Sequence, residues 1–146
     1  MLVWFKGWRV NEGLLPPENK SLTIYFEKTT LNAISALCPD LADRIQGLVE
    51  RLWDLCACVR LGFYHPGLKG SFSIKAVLPA LVPEMTYQGM AVKDGMQAVE
   101  VWSEMVKLPN GHQVKEGMER SLLQYCAFDS IAEFMVLEAL KNLSTP

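Results

Sequence analysis

The sequence predicts an α/β domain in which a small sheet is flanked by a dominant set of helices. Three observations carry that expectation. Two short runs, "LTIYF" at 22–26 and "CACVRL" at 56–61, read as strands, the second as a buried one. Apolar residues recur at helical spacing in "KDGMQAVEVWSEMVK" (93–107). A longer helical pattern covers roughly 115–142. With 146 residues the chain is long enough for one domain with a real core.

Taken in order, residues 1–10, "MLVWFKGWRV", form a short strand or an apolar arm. Trp4, Phe5 and Trp8 there pack on the core, form an exposed patch, or stack on bases. Gly13, Pro16 and Pro17 make 11–21 a loop, so the domain proper spans 22–146 and residues 1–21 are an arm or substitute strand ahead of it. A helix follows "LTIYF" from Glu27, with Glu27, Leu31, Ile34 and Cys38 near one stripe, and Pro39 ends it. A second helix runs from Asp40 to about Val49 with Leu41, Ile45 and Leu48 inward. "RLWDLCACVRL" (51–61) fits strand or helix, and its tail favours a strand. Residues 62–71 read as a loop, and 72–83 as a short helix broken at Pro79. In the helix at 93–107, Asp94 with Gln97 three residues on resembles a capping box, and Ala98, Trp102, Met105 and Val106 form the apolar stripe. "LPNGH" (108–112) is a turn before the last helix.

Half the residues are hydrophobic and the net charge is −2, which argues against a disordered chain. There is no global basic field, so nucleic-acid binding must come from a local patch. No apolar run approaches the roughly 20 residues of a membrane span. Lys6 and Arg9 interrupt the apolar opening, which does not read as a signal peptide. A cytoplasmic protein with four reduced cysteines is the expectation. Cys56 and Cys58 fall on one face of a strand, while Cys38 and Cys126 stand apart, so no zinc set is formed.

The last helix carries the chemistry-bearing pair. In "LLQYCAFDSI" (122–131), Tyr125 and Asp129 are four apart and stack on one helix face. Leu122, Leu123, Cys126, Phe134 and Leu137 cluster on one side; Asp129 falls at the edge of that stripe and Tyr125 just beyond it. A carboxylate in such a position lines a cleft or faces water.

"YCAFDS" resembles the third motif, Tyr-x-x-x-Asp, of DEDD-type 3′–5′ exonucleases. Four blocks taken together resemble the bacterial family called domain of unknown function 2779, associated with RecB-type nucleases. They are "YFEKTTLNAISALCPDLADRI", "RLWDLCACVRLGFYHPGLKGSFSIKAVLPAL", "YQGMAVKDGMQAVEVW" and "LLQYCAFDSIAEFMVLEAL", and they span roughly 24–140. The segment before residue 22 matches no part of the family pattern. The resemblance implies an RNase H-like, exonuclease-like fold and two-metal phosphodiester hydrolysis, with Mg²⁺ or Mn²⁺ held by four carboxylates. Carried over, Asp129 is the last carboxylate, Tyr125 the water-positioning hydroxyl, and Glu27 in "YFEK" the acid of the second motif; Glu27 and Asp129 are then the metal ligands.

The first motif, Asp-x-Glu, supplies the other two ligands and occurs nowhere in this sequence. Two carboxylates cannot hold two ions by themselves. The expectation is therefore a partial, degenerate exonuclease-like domain that binds no metal alone and acts as a binding module. The alternative is a nuclease on DNA or RNA completed by another chain or segment. Lys69 and Lys75 flank "GSFSIK" and touch a phosphate backbone or are simply solvated. Asp54 reads as a structural acid at an element end and His65 as a loop histidine. A helix layer without its parental sheet leaves an apolar face: either the first 26 residues fold back over it as substitute strands, or it is exposed and recruits a protein partner or a second copy of the chain.

Overall fold

The computed structural model describes residues 22–24 and 28–144. The elements, in chain order, are β1 (Leu22–Ile24), α1 (Lys28–Leu37), α2 (Ala42–Arg51), β2 (Leu52–Asp54), α3 (Leu55–Gly62), α4 (Ile74–Leu81), α5 (Gly95–Met105) and α6 (Gln113–Ser144). Single 3₁₀ turns at Pro39–Leu41 and Pro66–Leu68 link helices. The arm or substitute strand expected at 1–21, with its three aromatics, lies outside the described residues.

The expected α/β, RNase H-like layering is not the architecture of the described residues. Their strands are a parallel pair, three residues each, with Leu22 opposite Leu52 and Ile24 opposite Asp54. The α1–α2 hairpin supplies the crossover that a parallel pair requires. Two strands this short cannot form a layer for helices to cover, because such a pair is not stable without helix packing. The core is instead helix against helix: α6, at 32 residues, packs on α4 and α5. Leu55, Val59, Val77, Leu78, Val136 and Leu140 are fully buried at the centre of that assembly.

The main cause of the difference is residues 55–62. They form α3 rather than a strand. Asp54 ends β2 and caps α3: its Oδ1 accepts the N–H of Ala57 at 3.1 Å. Leu55, Cys56, Cys58 and Val59 are all buried on one side, while Ala57, Arg60 and Leu61 are exposed on the other. A short apolar run gives no period that separates buried strand from buried helix. The two cysteines therefore do not share a strand face. All four cysteines are free thiols, with Cys56 and Cys58 buried, Cys38 half-buried and Cys126 exposed.

Pro39 does end α1, and α2 begins after the 3₁₀ turn. Ile45 is buried as expected, whereas Leu41 and Leu48 sit at the surface. Pro79 does not break α4, which continues to Leu81. The proline forfeits one backbone donor, and the Val82 N–H still closes the last turn on the Leu78 carbonyl at 2.7 Å.

The expected box at α5 forms in a shifted version, with aspartate as the cap and the return bond from Gln97 falling on Lys93, one residue before the cap, rather than on Asp94 itself. The Gln97 N–H donates to Asp94 Oδ1 at 2.9 Å, and Gln97 Oε1 accepts the Lys93 N–H at 2.9 Å. Its buried stripe is rotated from the expected one. Ala98 and Val101 pack on the core, while Trp102 and Val106 face outward beside Met96 and Val99. No helix of the described residues is long and apolar enough to cross a membrane.

Candidate functional site

The inward face of α6 is the one that bears the tyrosine and the aspartate. Tyr125, Ala132, Val136 and Leu140 are all buried, at spacings of seven and four that follow the helical repeat. Asp129 lies between Tyr125 and Ala132 on this face and is half-buried. The expected stripe is thus largely reversed. Leu137 is buried and Leu122 half-buried, but Leu123, Cys126 and Phe134 are exposed. Counting large apolar side chains picked the outer face because α6 has two apolar faces. Hydrogen bonding decides that the polar one goes inward.

The partner is Tyr87, from the segment between α4 and α5. Its hydroxyl donates to Asp129 Oδ1 at 2.5 Å. The ring is buried, meets Phe128 edge-on at 4.8 Å between centroids, and lies 6.2 Å from the Tyr125 ring. Lys75, on α4, places its Nζ 5.8 Å from the centre of the Tyr87 ring, within range of a cation–π attraction. Tyr125, one turn before Asp129 on α6, lies within the field of its carboxylate. Asp129 therefore takes a phenol donor from a separate segment, which is how a partly buried acid is made tolerable.

The electrostatics follow from that arrangement. Burial first, then the hydrogen bond to Asp129 and its negative charge, hold the Tyr87 phenol far above the usual tyrosine value. Burial, again foremost, and then the charge of Asp129 push Tyr125 up to about 12, with Asp94 adding to the field. Both phenols are protonated donors at neutral pH, so neither acts as a base there. The cluster can position a carboxylate and accept or donate hydrogen bonds along its solvent-facing edge.

Of the residues picked out in the sequence, Tyr125 and Asp129 are brought together. Glu27 lies outside the described residues. Among the described residues no three His, Cys, Asp or Glu side chains stand close enough to share a cation. These residues alone do not fit the two-ion cage that the exonuclease resemblance implies. Lys69 is exposed in left-handed backbone (φ 49°) after the Pro66–Leu68 turn, and Lys75 is half-buried over Tyr87. The two lysines are thus differently placed, and Lys75 belongs to the Asp129 cluster. Asp54 is the α3 cap, and His65 Nδ1 accepts the Gly67 N–H at 3.0 Å while its ring stacks on Phe63.

Tyr87 was not legible as a site residue. It sits 42 positions from Asp129, so no local spacing joins them. Two needs could have suggested the pairing: a buried tyrosine hydroxyl wants an acceptor, and a buried acid wants a donor.

Residues 14–73 match a family model described as Domain of unknown function (DUF2779). The match begins upstream of residue 22, so residues 14–21 fall within the family pattern where none was expected, while residues 1–13 lie outside it, and the match ends before α4. Tyr87, Tyr125 and Asp129 lie outside it. No curated protein and no solved structure matches the chain.

Proposed function

From the match of residues 14–73 to the family model of the domain of unknown function DUF2779, we propose that the chain is a partial exonuclease-like module, non-catalytic alone, that works by binding. The observation that carries this reading is the use made of Asp129. Its carboxylate accepts a hydrogen bond from the buried Tyr87 at 2.5 Å, and its charge acts on Tyr125 one turn away on the same helix. An acid held this way ties α6 to the 82–92 segment. A cation at the same oxygen competes with the Tyr87 phenol. The setting is the cytoplasm, where free thiols such as those of all four cysteines persist. Protein is the favoured partner class over nucleic acid: the net charge is −2, and α5 and α6 present outward apolar side chains.

The second reading is a metal-dependent nuclease acting on DNA or RNA, completed by another chain or segment, with Mg²⁺ or Mn²⁺ as its ions. It draws on the placement of Tyr125 one turn before Asp129 on α6, the spacing of the exonuclease motif, where the Asp129 charge acts on the phenol. Thermal unfolding with and without millimolar Mn²⁺ separates the two. The first reading expects an unchanged Tm. A site filled at tenfold its Kd would add about 1.4 kcal/mol, or about 3 to 6 °C. A rise of that size that disappears in Asp129→Asn overturns the first reading in favour of the second.

A further inference from the structure

The outer face of α6 bears an apolar stripe that the core does not use. Leu123, Ile131 and Phe134 are 63%, 52% and 59% exposed, and Ala127 between them is exposed as well. At about 100° per residue these four lie within about 80° of one another around the helix. The same stripe continues into charge at both ends. Glu116 and Arg120 precede the apolar centre, and Glu138 and Lys141 follow it. Successive members are three or four positions apart throughout, which is the spacing of a helix-pairing seam. From Glu116 to Lys141 the stripe is about 38 Å long at the rise of an α-helix.

The order of charges specifies what can cover it. Read along the helix, the stripe runs negative, positive, apolar centre, negative, positive. Laid parallel on a second copy, each charge meets its like. Laid antiparallel, with a two-fold axis between Ala127 and Ile131, Arg120 of one copy meets Glu138 of the other. Glu116 meets Lys141 in the same way, and Leu123 meets Phe134. Both sets recur by symmetry, as a two-fold interface requires. Glu138 and Lys141 pair along their own helix at 2.7 Å, with side chains 40% and 44% exposed. They therefore already stand at the rim of the stripe, where flanking charges select orientation.

We propose that the outer face of α6 is the docking surface for a second copy of this chain, paired antiparallel through Leu123, Ala127, Ile131 and Phe134. This names the partner of the binding module proposed above and rests on that reading. The Mn²⁺ result tests the module's chemistry, whereas particle mass tests the partner, so the two can fail separately.

Sedimentation velocity on the full chain, over a wide concentration series, reads the assembly directly. The wild type is expected to shift from monomer to dimer as concentration rises. Phe134→Glu is expected to weaken dimerisation at least about tenfold by placing acid opposite Leu123 in both copies. Circular dichroism should be unchanged, since the side chain is exposed in the monomer. Arg120→Glu is expected to weaken the dimer by setting acid against Glu138. Inverting all four charges together (Glu116→Lys, Arg120→Glu, Glu138→Lys, Lys141→Glu) is expected to restore it. A wild type that stays monomeric throughout overturns the proposal, as does a Phe134→Glu chain that dimerises as well as wild type. Failure of the inverted chain to recover from Arg120→Glu overturns the antiparallel arrangement.

Discussion

Replacing Tyr87 with phenylalanine removes a single hydroxyl and leaves the packing in place. The ring can keep its edge-on contact with Phe128 and its contact with Tyr125. What is lost is the donor at 2.5 Å from Asp129 Oδ1. A hydrogen bond to a charged group contributes about 1.5–3 kcal/mol. Asp129 is half-buried, so water can replace part of what is lost and the cost falls in the lower half of that range, about 1.5–2.3 kcal/mol. For a chain of this size that is a fall in Tm of about 4 to 8 °C. Urea unfolding followed by circular dichroism gives the free energy, with an unchanged m-value showing that the denatured state is unaltered. Asp129→Asn and the double variant complete a cycle, whose coupling is expected to be about 1 kcal/mol or more for groups in direct contact. A Tyr87→Phe chain within about 0.5 kcal/mol of wild type, or a cycle that closes additively, would show that the clasp does not hold α6 to the 82–92 segment.

Alkaline pH attacks the same cluster from the other side. A phenol whose pKa is raised by folding ionises first in the unfolded chain, so stability is full below the unfolded value of 10.0 and declines above it. Tyr125, pushed up to about 12, removes up to about 1.4 kcal/mol per pH unit between those values, and Tyr87 removes a similar amount over the same interval and beyond. Burial pushes the Cys58 thiol from 9.0 up to about 11, so the decline begins near pH 9. Titration at the phenolate absorbance should show Tyr87 and Tyr125 ionising together with loss of helix; ionisation of both with the helices intact would contradict their burial. Asp54→Ala removes the α3 cap, whose Oδ1 accepts from Ala57 at 3.1 Å, and is expected to cost about 1 kcal/mol in urea unfolding. An effect indistinguishable from zero would mean that neighbouring packing, not the cap, starts that helix.

Local chemistry was readable where one residue settles it within a few positions. Pro39 marks the end of α1, the Asp94–Gln97 box opens α5, and α6 runs over nearly the span its pattern predicts. Tyr125 and Asp129 were legible as a pair because helical geometry brings residues four apart together wherever the helix lies. What the pair does was not legible. Its third member comes from a loop, and its inward orientation depends on a hydroxyl supplied from 42 positions away.

The sequence by itself determined a mostly regular chain, most of its helix boundaries and the Tyr–Asp neighbourhood, since those depend on interactions within a turn or two of backbone. Tertiary structure decided that residues 55–62 are helix and that α6 turns its polar pair inward and leaves Leu123, Ile131 and Phe134 outside. Both outcomes depend on which distant groups bury against a segment. An apolar run is indifferent between strand and helix, and a helix with two apolar faces is indifferent between them, until a donor such as Tyr87 makes one burial cheaper than the other.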